Sequence, residues 1–215
     1  MYRIHPTTEN KCHARGTEKS TCPSVLTVWK KSSMTFQGTD GFCVYDSTGK
    51  MIFRVDNYSR RNRCMTRGLV LMDGSGKPLM TMKPQILSMH EQWNGFQGDD
   101  SSKASPKTPV FTMRRRSMIQ SSDEAEVFMW GSILGAMAPD FRIDGCFRSR
   151  HCKIRDCSGE VAAEISRKKA NTTLLLSDDV FSLIIRPGCE CDLIMAFVVI
   201  MDRICRKPFA PILCS

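Results

Sequence analysis

The sequence predicts a mainly β protein, an antiparallel barrel or sandwich of short strands packed around one buried helix near the C-terminal end. Two observations carry this. One hairpin pattern occurs three times, and the nine residues Leu193-Ile194-Met195-Ala196-Phe197-Val198-Val199-Ile200-Met201 include no polar side chain. A helix that is apolar on every side must be surrounded by protein or lipid. Spanning a bilayer takes about 20 apolar residues, so this run is too short for that role. The rest of the chain is expected to supply the wall around it.

In chain order, residues 1–23 mix His, Thr, Lys, Glu and Pro without periodicity and read as a disordered tail. The β-branched and aromatic run Val25–Trp29 opens the core. The repeat follows, as FCVYDSTGKMIFRV (Phe42–Val55), LVLMDGSGKPLMTM (Leu69–Met82) and CKIRDCSGEVAAEI (Cys152–Ile165). Each copy is a strand, an Asp-x-x-Gly turn and a second strand; the turns are Asp46 to Gly49, Asp73 to Gly76 and Asp156 to Gly159. Asp caps local amides at the first position of a type I turn, and Gly supplies a positive φ at its close. Past each Gly, alternate residues are apolar: Met51, Phe53, Val55; Met80, Met82 after Pro78; Val161, Ala163, Ile165. Period-two alternation means one buried face. A small inner residue such as Ala163 leaves room for a central helix.

Between the second and third hairpins, Asn94–Gly98 reads as a turn-rich strand edge and residues 99–109 as a loop. Val110–Met113, Val127–Trp130 and Phe141–Ile143 are further strands, the last ended by Asp144-Gly145. Leu174–Leu176 and Val180–Ile185 complete the set. Pro187-Gly188 marks the start of the terminal helix and Lys207-Pro208 its end. Asp192 lies near its first turn and Arg203 near its last, as the helix dipole favours.

A chain of 215 residues, 41% hydrophobic and 25% charged, fits one globular domain. There is no apolar leader and no spanning segment, so an intracellular, soluble protein is expected. The eleven cysteines are odd in number and contain no C-x-x-C, so they read as reduced thiols serving as small apolar residues. The formal charge of +9 favours anionic partners, nucleic acid or an acidic membrane surface.

The three hairpins, Trp93–Gly98 and Asp179–Asp202 (DVFSLIIRPGCECDLIMAFVVIMD) occur in an order that resembles the LURP-one-related proteins of plants, members of the Tubby C-terminal-like superfamily. The match spans residues 24–207 and departs from the family pattern at Glu190, acid for acid. The resemblance implies a closed barrel of about twelve strands enclosing a hydrophobic helix, with one domain over 24–210 and a short tail over 211–215. It further implies a regulator that binds phosphoinositides or an acidic membrane in plant stress or defence signalling. A nuclear, nucleic-acid-associated regulator and a phospholipid scramblase-like activity are the alternatives.

Catalytic patterns are missing. There is no G-x-S-x-G, H-E-x-x-H or P-loop. The four histidines suggest no metal cluster, so no enzyme activity, cofactor or metal is expected. The candidate binding residues are basic clusters: Lys30-Lys31, Arg60-Arg61 with Arg63, Arg114-Arg115-Arg116 and Arg167-Lys168-Lys169. Arg forks bind phosphate oxygens in pairs, and lysines add diffuse attraction. The site residues expected to meet anionic lipid or phosphate are Arg60, Arg61, Arg63, Arg114, Arg116, Lys168 and Lys169. Arg114 and Arg115 point to opposite faces of any strand they share, so the three arginines cannot form one patch.

Overall fold

The computed structural model describes residues 22–31, 41–55, 68–85, 91–98, 108–116, 123–132, 138–169 and 176–205. Among these, twelve strands precede one helix: β1 Ser24–Lys31, β2 Gly41–Tyr45, β3 Met51–Val55, β4 Leu69–Asp73, β5 Pro78–Pro84, β6 Gln92–Gln97, β7 Phe111–Arg115, β8 Ala125–Met129, β9 Phe141–Cys146, β10 His151–Asp156, β11 Val161–Arg167, β12 Val180–Ile185 and α1 Cys191–Ile204. Each strand pairs antiparallel with its sequence neighbours, and β1 also pairs with β12. The sheet therefore closes into a barrel, which decides between the two architectures left open by the strand pattern. A helix apolar all round needs cover on every side, and closure also leaves no strand edge open.

The three repeated hairpins are built alike. Gly49, Gly76 and Gly159 have φ of 82°, 92° and 87°, the left-handed region that their place at the end of the turn requires. The Asp46 carboxylate accepts bonds from the Thr48 amide (2.9 Å), the Thr48 hydroxyl (2.6 Å) and the Lys50 amide (3.0 Å). Asp73 accepts the same set from Ser75 and Lys77, and Asp156 from Ser158 and Glu160. In each copy the register shifts just before the Asp, at Val44/Tyr45, Leu71/Met72 and Ile154/Arg155. A type I turn closed by a left-handed Gly carries such a bulge.

All nine residues from Leu193 to Met201 are buried. Inner-face residues of the wall meet them: Phe111 sits edge-on to Phe197 at 4.9 Å and Phe141 tilted against it at 5.5 Å. Small residues make the space. Ala125 and Ala163 are buried on the inner face, and a Cβ on Gly95 would overlap the Phe111 ring.

Four readings are corrected. Asn94–Gly98 is no sheet edge, because β6 is hydrogen-bonded to both β5 and β7. β9 does not end at Asp144-Gly145 but continues to Cys146; Gly145 has φ +105° and lies against the backbone of His151 and Cys152, so it is a close-packing glycine within the strand. The helix begins at Cys191, and Cys189 belongs to the turn before it, where its amide bonds the Arg186 carbonyl. Leu174 and Leu175 lie outside the described residues, and Leu176 is not in a strand.

Candidate functional site: the helix-exit end of the barrel

Strands that alternate in direction sort the connections between two ends. The three Asp-x-x-Gly turns lie at the end where α1 begins. There Arg186, which precedes the helix, reaches the Asp156 carboxylate at 2.6 Å. The other end is where odd-numbered strands finish and α1 emerges. It holds Lys30, Arg115, Arg116, the β9–β10 turn with Arg148 and Arg150, and Arg167, Lys168 and Lys169.

Its interior is an ion network. Asp202, in the last turns of α1, is 4% exposed. Lys30 Nζ donates to its Oδ1 at 2.8 Å, and Arg150 Nη2 lies 3.9 Å from the same oxygen. Arg150 is itself buried, with φ +56°, and its Nε donates to the Asp178 carbonyl at 2.8 Å. Its guanidinium lies 4.7 Å from the Phe147 ring centroid and 4.3 Å from that of Phe181, a pair of cation–π contacts. Burial lowers the Arg150 pKa, and the carboxylates of Asp202 and Asp179 oppose that shift.

A second hub surrounds Asp123, which is also buried. It accepts from the Arg148 amide at 3.2 Å and the Cys146 thiol at 3.6 Å. Arg148 Nε in turn donates to the Cys205 carbonyl at 2.8 Å, which satisfies one orphan acceptor at the helix C-terminus. Burial, aided by nearby carboxylates, pushes the Cys152 thiol up to about 12 and the Cys205 thiol upward as well. Thiols held protonated in this way are inert as nucleophiles. Among the described residues, no group of His, Cys, Asp and Glu has metal-binding geometry.

The basic clusters divide. Arg114 pairs with Glu126 at 3.0 Å and stacks on Phe128 at 4.5 Å. Arg116 pairs with Glu124 at 3.2 Å, and Arg115, turned to the other face, with Glu91 at 3.5 Å. Arg167 is tied to Asp178 at 2.6 Å. Lys168 and Lys169 pair with no carboxylate among the described residues. β7 and β11 are four strands apart around the barrel, so Arg114 and Arg116 share an end with the two lysines but not a wall. Arg60, Arg61 and Arg63 lie outside the described residues.

The buried Lys30–Asp202–Arg150 network was missed in the sequence. Its one signal is an acid directly after a run that must be buried: Asp202 follows Met201 with no room to leave the barrel and needs a cation there.

A family model described as LURP-one-related matches residues 24–202. The chain is similar to Protein LURP-one-related 12 of Arabidopsis thaliana, 39% identical over 176 residues that cover 81% of this chain and 75% of that protein. Protein LURP-one-related 5 of the same plant is 36% identical, covering 83% of this chain and 82% of the relative. Protein LURP-one-related 8 is 33% identical, covering 96% and 100%. Among solved structures, an X-ray structure of an Arabidopsis thaliana protein superposes with a TM-score of 0.60 at 20% identity, covering 87% of this chain and 94% of that one, a likeness of fold.

Proposed function

The chain belongs to the LURP-one-related family, and from that premise and its charge distribution we propose that it is a non-catalytic binding protein that engages anionic phospholipid headgroups in plant stress or defence signalling. The observation that carries the reading is the pair Lys168 and Lys169, cations without a carboxylate partner among the described residues, beside Arg167 at the helix-exit end. A lysine near an acidic leaflet contributes about 1 kcal/mol. Arg114 and Arg116 contribute less, because Glu126 and Glu124 already neutralise them. Scramblase-like insertion of the helix is not part of this reading. α1 is sheathed along its apolar length, and no helix among the described residues is long and apolar enough to cross a membrane.

The test is sedimentation with phosphatidylcholine vesicles, alone or with phosphatidylserine or a phosphoinositide. Binding is expected only to the anionic vesicles. It should weaken as salt shortens the screening length from about 10 Å at 0.1 M to about 3 Å at 1 M. Reversing both lysines, Lys168→Glu with Lys169→Glu, removes at least about 2 kcal/mol, or roughly 30-fold in affinity. Equal retention on neutral and acidic vesicles overturns the reading. So does a steeply salt-dependent affinity for DNA or RNA in the absence of vesicle binding.

A further inference from the structure

Four large hydrophobic residues among those described are exposed: Val25 at 43%, Trp29 at 45%, Trp130 at 70% and Ile184 at 38%. Three of them lie on one wall. Val25 is directly opposite Ile184 in the β1–β12 ladder, and Trp29 is opposite Val180 four residues further along β1. All have the outward phase, since Leu26, Val28, Phe181 and Leu183 between them point into the core. The strip runs toward the helix-exit end. One strand further round, the β11–β12 ladder ends where Arg167 faces Phe181; Lys168 follows directly, its carbonyl accepting from the Leu176 amide at 2.9 Å, and continues the alternation that turns Glu164 and Ser166 outward. At about 4.8 Å between strands, β11 stands roughly 10 Å across the wall from β1, so Lys168 at its end borders the strip on the Trp29 side. Two of the acids bordering this surface are committed elsewhere: Asp178 is paired with Arg167, and Glu164 lies 3.9 Å from Lys153.

We propose that the β1–β12 wall is the side that lies against an anionic bilayer, with Trp29 seated at headgroup depth, Val25 and Ile184 further along the same face, and Lys168 on the lipid phosphates. This rests on the headgroup-binding reading and adds the orientation to it. Charge and area both select a bilayer as the occupant. Lys168 borders the strip, and an indole has an apolar body with a polar N–H that suits the boundary between acyl chains and water. The three side chains, each less than half exposed, together present under about 300 Å² of apolar surface, given 150–250 Å² for a whole aromatic side chain. A stable protein interface takes about 800 Å² from each partner. A few interfacial side chains added to electrostatic attraction are enough for reversible membrane binding.

The test uses the full chain and vesicles of phosphatidylcholine and phosphatidylserine, with or without bromine on the acyl chains just below the headgroups. Tryptophan emission is read for the wild type, Trp29→Phe and Trp130→Phe, after thermal melts confirm that all three are folded. Quenching is expected in the wild type and in Trp130→Phe and should be lost in Trp29→Phe, while Trp29→Ala weakens vesicle binding several-fold. If the anionic vesicles bind but quenching persists in Trp29→Phe or disappears in Trp130→Phe, the orientation is wrong and headgroup binding stands. If the wild type binds no anionic vesicle, the headgroup reading fails and the orientation fails with it. A solution dimer that Trp29→Ala dissociates assigns the wall to a second copy of the chain and overturns the inference.

Discussion

Lys30 and Asp202 are 172 positions apart in the chain, and their Nζ and Oδ1 atoms are 2.8 Å apart in the fold. The bond ties the end of the first strand to the end of the helix, with 16% and 5% of the two side chains exposed. Removing one member of a buried pair leaves an uncompensated charge. Asp202→Ala strands two cations and is expected to cost about 3–5 kcal/mol. Lys30→Ala should cost less, because Arg150 remains 3.9 Å from the same carboxylate oxygen. Denaturant midpoints of the two variants check the order.

Phe197 is fully buried where α1 meets β7 and β9, against Phe111 and Phe141. Phe197→Ala is expected to destabilise the barrel by about 3–5 kcal/mol, through lost burial and the cavity left behind. Phe197→Leu keeps most of the volume and should cost clearly less. A pair of equilibrium unfolding curves distinguishes the two.

Gly95 is a packing glycine, since a methyl there collides with the Phe111 ring. Gly95→Ala is expected to cost about 1–3 kcal/mol by overpacking. Combined with Phe111→Leu, which vacates part of the space, it should cost less than the two changes added separately. A double-mutant cycle on unfolding free energy reads the coupling.

Asp156 is held down at about 2, first by the Ser158 hydroxyl and then by Arg186. An unfolded Asp titrates near 3.9, so the folded state holds fewer protons between those values. The resulting stability is fully present above about pH 4 and is lost as the pH falls through about 2. Ser158→Ala and Arg186→Gln are each expected to raise the Asp156 value, as followed by carboxyl NMR titration. Asp46 and Asp73 are lowered too, chiefly by the hydroxyls of Thr48 and Ser75.

Local chemistry was legible in the sequence, and long-range pairing was not. The Asp-x-x-Gly turns could be read because each Asp satisfies amides only two to four residues away. The buried helix could be read because nine consecutive apolar residues leave no face for water. The strand count came from family resemblance, since short runs do not announce how a sheet closes. Asp144-Gly145 reads as the end of a strand because Asp-Gly carries the same local signal as a turn. What makes Gly145 a strand residue is its approach to His151 and Cys152 across the ladder. The run Val25–Trp29 reads as core throughout, yet only Leu26 and Val28 face inward. An apolar residue on an outer face looks no different in sequence from one on an inner face, so the exposed strip emerged only with the register. The basic clusters were legible as charge, but the carboxylates that neutralise Arg114 and Arg116 come from a neighbouring strand and the approach to it.

Amide hydrogen exchange along Leu193–Met201, in solution and on anionic vesicles, tests the central claim most directly. A helix sheathed by a closed barrel opens only with the whole fold. Its amides should be among the slowest in the chain, and vesicles should leave them unchanged. Exchange as fast as in the Asp-x-x-Gly turns, or a helix that labels differently once the protein is on lipid, would contradict the account.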